Sequence, residues 1–318
     1  MKILYGTEAI TLDVTDICYN KLMRKNIIRI IKNDDIRALV FTDPCFGKIK
    51  KIYTIDDNDI TTEHDNTDDI YINATTNEVF NKDIPNYIKE IYSTNLDTYK
   101  EKLQHIHSQL KIGYGDFQDE YPEQLMTVTY LTGDEKVLEI GSNIGRNSLI
   151  IGHILSLKNN NNFVTMECDS DIAGILQYNR DINKMNFHIE SAALSKRKLI
   201  QKGWNTICSD EVLEGYKSVN IISYEEIMRK YNIQFDTLIL DCEGAFYYIL
   251  MDMPEILNNV KLIIMENDYR DIKHKEYVDD TLKKNGFYVD YAEEGVPLAL
   301  KLFPGTYNNF YEVWKKRV

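Results

Sequence analysis

Val137-Leu138-Glu139-Ile140-Gly141-Ser142-Asn143-Ile144-Gly145-Arg146 is the stretch on which the fold turns. A short apolar run predicts a strand over 136–140. Gly141 and Gly145 then supply a turn whose backbone can take left-handed angles and approach a ligand closely. Apolar residues at helical spacing predict a helix over 143–157, whose first N–H groups are free to meet that ligand. A dinucleotide turn reads G-x-G-x-x-G, and its second glycine makes room for a pyrophosphate. Here that position is Asn143, and the spacing is E-x-G-x-x-x-G.

Outward from this turn, strand and helix alternate, the pattern of a parallel α/β sheet. Strands are predicted over 163–167, 187–190, 237–241 and 262–266, with two late ones over 287–292 and 310–314; helices fit 172–183 and 223–231. Glu167 ends the second strand, about 22 residues past Gly145, where a carboxylate can accept hydrogen bonds from ribose hydroxyls. The fourth strand delivers Asp241-Cys242-Glu243-Gly244-Ala245, and the fifth Glu266-Asn267-Asp268, to the sheet edge where such folds bind ligands. The plainer reading of these acids is helix capping and dipole compensation.

The turn resembles motif I of S-adenosylmethionine enzymes. More broadly, residues 123–314 resemble the FkbM-type methyltransferases through Val137 to Gly145, Glu167 with Asn179 and Asn183, Ala192-Ala193-Leu194-Ser195, Ile221 to Glu226, Asp241 to Ala245 and Ile263 to Glu266. The resemblance implies a Rossmann-like class I methyltransferase sheet with helices on both faces and O-methylation of a sugar, glycan or related hydroxylated metabolite. S-adenosylmethionine would be held by Glu139, Gly141, Ser142, Asn143, Gly145 and Glu167, with Ser191 and Ala192 near the adenine. An alcohol must lose a proton as it accepts a methyl group. Asp241 is the first candidate base and Glu243 the second, with His188 and His274 behind them. Ile239, Phe246 and Asp252 depart from the family pattern, where Lys, Glu and Gly are usual, and leave the acceptor open. Methylation of a protein or RNA, and a scaffold that binds the donor without turnover, are the alternative functions.

No metal is assigned from the sequence. Its Cys and His residues lack zinc spacing, although Mg²⁺ between Asp241 and Glu266 stays open. The net charge of −13 argues against nucleic-acid and anionic-membrane partners. Five scattered cysteines, and a first segment too polar for a signal peptide, lead to the expectation of a cytoplasmic protein.

Ahead of the methyltransferase-like region, residues 1–55 read as a small β-rich module. Tyr5-Gly6-Thr7, Asp13-Val14-Thr15 and Phe41 to Lys48 resemble a β-domain found at the tail of some DnaJ-type co-chaperones. That resemblance implies an accessory module with a protein or glycan partner. The acid-rich stretch 56–84 reads as a linker and 85–110 as a single helix leading into a domain that runs to 318.

Overall fold

Strands β1 (Val137–Ile140), β2 (Phe163–Met166) and β4 (Thr237–Leu240) are four-residue runs buried on both faces. A parallel sheet covered by helices imposes that burial. With β3 (His188–Glu190), β5 (Leu262–Glu266), β6 (Phe287–Glu293) and β7 (Tyr311–Lys316) they form a seven-stranded sheet of order β3-β2-β1-β4-β5-β7-β6. Neighbours from β3 to β5 are parallel, with Val137 opposite both Phe163 and Thr237. β7 runs antiparallel to both β5 and β6. This is a Rossmann-like α/β fold. The strand order reverses between β1 and β4, so the ligand crevice of such a sheet opens at their C-terminal ends.

Helices α1 (Tyr121–Tyr130), α2 (Arg146–Ser156), α3 (Ser170–Ile182), α4 (Tyr224–Tyr231), α5 (Phe246–Asp252) and α6 (Ile272–Lys284) accompany the strands. Local chemistry fixes where several begin. Asp169 accepts the Asp171 N–H, and Ser223 and Glu226 cap each other's backbone in a capping box. Leu138, Val164, Leu240, Ile263 and Trp314 from the sheet pack with Phe246, Ile249, Val278 and Leu282 from α5 and α6. Each such side chain contributes about 1.5–3 kcal/mol on burial.

The computed structural model describes residues 1–92 and 96–317. The chain divides into two units, Met1–Leu96 and Asp97–Val318. The division corrects the expected boundaries. The 56–84 stretch is not a linker: Thr61–His64 pairs with Lys51–Ile55, and Ile70–Asn73 with Ile27–Ile30. Ile70 and Ile72 are fully buried beside Ile3, Tyr5, Val14 and Ile52. The acids that suggested a spacer make turns and ion pairs instead. Asp56 accepts the N–H groups of Asn58 and Ile60, and Asp69 pairs with Arg29. The buried Arg37 guanidinium donates to the carbonyls of Ile31, Asp65 and Asp68 and so pins the acidic loop.

The expected single helix over 85–110 is found as helices Asn86–Tyr92 and Leu96–Gln109; residues 93–95 lie outside those described. Tyr92 donates to the Ile27 carbonyl in the first unit, whereas His107 shares a 2.7 Å hydrogen bond with Gln124 of α1 in the second. Strands Leu199–Lys202, Asn205–Cys208 and Lys217–Val219 form a small antiparallel sheet between β3 and α4 that the sequence did not announce. Among the described residues, no helix is long and apolar enough to cross a membrane.

Candidate functional site

The turn after β1 is built around contacts that only glycine permits. Gly141 has φ +84°, and a Cβ there would lie 1.6 Å from the Asp241 carbonyl oxygen. Backbone therefore meets backbone where the ends of β1 and β4 come together. Gly145 has φ +92°, and a Cβ would strike the Leu176 side chain of α3 at 2.3 Å. Between them Asn143 takes a left-handed φ of 49°. Its N–H donates to Glu167 Oε2 at 2.9 Å, while Oε1 accepts from the Asp169 N–H at 2.8 Å. Glu167 thus ties β2 to the turn through one lone pair on each oxygen. Further lone pairs remain for a ligand. Burial pushes its carboxyl up from the ordinary range, against those two donors. Ser142 donates to the Met166 carbonyl at 3.0 Å and closes the same junction.

Glu139 is turned inward. It is buried and accepts from Ser148 and, at 2.6 Å, from Thr165; burial pushes its carboxyl up to about 7. A strap over 111–120 is stitched across the turn by side chains. Arg146 donates to the Asp116 carbonyl, to Glu120 and to Asp119, the two carboxylates each at 2.9 Å. Glu120 also accepts from the Asn143 amide at 3.0 Å, and burial lifts its carboxyl to about 7 although Arg146 opposes the shift. Asn179 donates to the Ile144 carbonyl and accepts the Gly113 N–H, and Asn183 brackets Lys111.

At the ends of β4 and β5, oxygens of Glu123, Asp241 and Glu266 lie within 4.8 Å of one another. Burial is the first cause that raises all three, and for Asp241 and Glu266 their acidic neighbours add to it. The three line a cavity of about 10 Å³ together with Glu120, Glu139, Gly141, Ser142 and Asn147. Glu243 stands apart from that lining. It is exposed, with a left-handed φ of 52°; desolvation raises its carboxyl, and Arg270 opposes. Asp268, itself lifted to about 7 by burial, accepts the Gly244 N–H at 2.7 Å and so holds the Asp241–Gly244 turn.

The fold therefore brings Glu139, Gly141, Ser142 and Asp241 around one cavity, with Asn143, Gly145 and Glu167 in the adjoining turn. Ser191 and Ala192 follow β3, two strands over from β1. The histidines are elsewhere. His188 faces Tyr231, and His274 stacks on Tyr247 with ring centres 3.8 Å apart. Glu120, Glu123, Asn147 and Asp268 had no assigned role in the sequence reading. The one signal for the strap was Arg146, the charged first residue of a helix with no other Lys, Arg, Asp or Glu.

No family model and no curated protein matches the chain. Solved structures that resemble it include an O-methyltransferase from Bacillus cereus in complex with SAH, at 11% identity and TM-score 0.37, covering 72% of this chain and 93% of that one. A ribosomal protein L11 methylase from Lactobacillus delbrueckii subsp. bulgaricus matches at 10% identity and TM-score 0.38, covering 64% and 81%. A Rossmann-superfamily protein from Streptococcus agalactiae matches at 13% identity and TM-score 0.38, covering 61% and 67%.

Proposed function

We propose that the chain is an S-adenosylmethionine-dependent methyltransferase acting on a hydroxyl of a sugar, glycan or related metabolite. One observation carries the reading. The glycine turn at the switch point of the sheet has Glu167 at the end of β2 on one side and Asp241 at the end of β4 on the other, with no basic side chain paired to either among the described residues. A pyrophosphate would meet these acids as like charges, whereas a donor bearing a sulfonium and an ammonium meets them as opposite ones. The donor set fits such a cofactor. The Gly141–Gly145 turn offers backbone, Glu167 has acceptor capacity for ribose hydroxyls, and Ser191 and Ala192 would flank the adenine.

The bound donor would supply a methyl carbon already activated for displacement. The chain's own work is then alignment and removal of one proton. Asp241 and Glu243 are the carboxylates within the turn after β4, and Asp268 holds that turn's backbone. A carbohydrate acceptor is favoured by aromatic faces just past the turn. Tyr247 and Tyr248 on α5 meet His274 and Tyr277 on α6, and Tyr248 and Tyr277 are exposed. Such rings stack on sugar faces. The test is transfer from labelled donor to free sugars, nucleotide sugars and glycan extracts, with RNA and protein in parallel. Label in a carbohydrate fraction is the expected result. Label only in RNA or protein would replace the acceptor, and donor binding with no acceptor labelled would make the chain a scaffold.

A further inference from the structure

The cavity beneath the glycine turn is too small for any cofactor and is the size of one water or one ion. Five carboxylates line it: Glu120, Glu123, Glu139, Asp241 and Glu266. Glu120 is answered by Arg146, and Glu139 by the hydroxyls of Ser148 and Thr165. The other three bring oxygens within 4.8 Å of one another. An independent feature faces the same space. Asn147 opens onto the cavity from α2 and is 7% exposed, yet its Oδ1 has no hydrogen-bond partner. Its amide leans on Glu139, which it stabilises as a donor, so the carbonyl oxygen is the end left over. Glu123 Oε2, equally buried, has no partner either. A buried acceptor without a donor costs about 1–3 kcal/mol. Two of them beside a knot of carboxylates ask for a cation.

We propose that Glu123, Asp241, Glu266 and the Asn147 carbonyl bind a single divalent cation of the hard, oxygen-seeking class. Mg²⁺, Mn²⁺ and Ca²⁺ accept all-oxygen shells at about 2.0–2.6 Å. Oxygens up to 4.8 Å apart can sit on opposite sides of one such ion. The ligands come from α1, α2 and the ends of β4 and β5, so the ion would lock those four elements beneath the turn. The site stands on these residues alone and does not depend on methyl transfer.

The experiment uses the full chain stripped with EDTA and titrated with Mn²⁺ alone, followed by electron paramagnetic resonance and calorimetry, with Mg²⁺ and Ca²⁺ as competitors. One bound Mn²⁺ per chain is expected. Glu123→Gln and Glu266→Gln should each weaken it at least tenfold, while Glu211→Gln, in the exposed loop between Asn205–Cys208 and Lys217–Val219, should leave it unchanged. Thermal unfolding guards against misfolded variants. In EDTA the Glu123→Gln protein should melt no lower than the parent, because one repelling carboxylate is gone. Mn²⁺ should raise the parent's Tm and leave that variant's where it was. Absence of Mn²⁺ binding at millimolar concentration would overturn the proposal. So would binding that both Gln variants retain.

Discussion

Beside β7, the buried Glu312 and the half-buried Asp279 share Lys275, and Glu312 also accepts from the Trp314 indole at 2.9 Å. At the ends of β4 and β5, in the same domain, Glu123, Asp241 and Glu266 crowd together with no lysine or arginine paired to them among the described residues. The first cluster carries its own counter-ion and joins α6 to the antiparallel edge of the sheet. It is architecture. The second has no basic partner among the described residues: burial and mutual repulsion push its carboxyls up, Glu123 and Glu266 meet each other, and the group lies at the sheet edge where ligands bind in folds of this kind. Burying a charge without a partner is expensive. Where the chain does not supply the partner, the ligand is expected to.

The largest effect is expected at the paired cluster. Lys275→Met strips the cation from the buried Glu312 and its half-buried neighbour Asp279 and should cost about 3–5 kcal/mol in urea unfolding. A loss under about 1 kcal/mol would mean that Lys275 is not what holds Glu312 and Asp279. Next comes Gly141→Ala, which forces a Cβ against the Asp241 carbonyl at a left-handed φ. A loss of at least about 2 kcal/mol, together with loss of donor binding, is expected. An alanine variant with unchanged affinity for donor would separate the β1–β4 junction from the site.

A third buried ionisable group, His64 of the first unit, illustrates another solution, which is to stay neutral. Its ring shares a 2.9 Å hydrogen bond with Thr54. Burial, aided by Arg37 and opposed by Glu63, holds its pKa below the ordinary 6.5. The unfolded chain therefore takes up the proton first. Stability from this residue is present above about pH 6.5 and is lost as pH falls from there through the folded value. The melting transition of the first unit should fall between pH 7 and pH 5, and His64→Gln should flatten that slope. The smallest effect is expected from removing the first unit altogether. A chain beginning at Asp97 should fold and bind donor within about twofold of the full protein, since the whole candidate site lies in the second unit. An insoluble product would place the boundary elsewhere.

The sheet was legible because its strands are uninterrupted apolar runs and its central turn carries two glycines with one packing reason each. The same logic misled in the first unit. There the segment 56–84 mixes acids with alternating apolar residues, so charge density hid the period-two pattern of Ile70 and Ile72. Asp241 and Glu266 could be seen at strand ends. Glu123 and Asn147 could not, because nothing in a helical stretch says which polar residue points inward until the helix is docked. The strap over 111–120 was hidden for a related reason. Asn179 and Arg146 hold it through backbone carbonyls and N–H groups, and such partners leave no trace in side-chain spacing.

An acidic ligand edge should select cationic donors over pyrophosphate cofactors. The direct measurement is calorimetric titration of the purified protein with S-adenosylmethionine, S-adenosylhomocysteine and NAD, repeated on Glu167→Ala. The account predicts binding of both sulfur ligands and little or none of NAD. Glu167→Ala should lose about 1.5–3 kcal/mol of donor affinity as a charged acceptor disappears. Tight NAD binding, or donor affinity unchanged in Glu167→Ala, would contradict it.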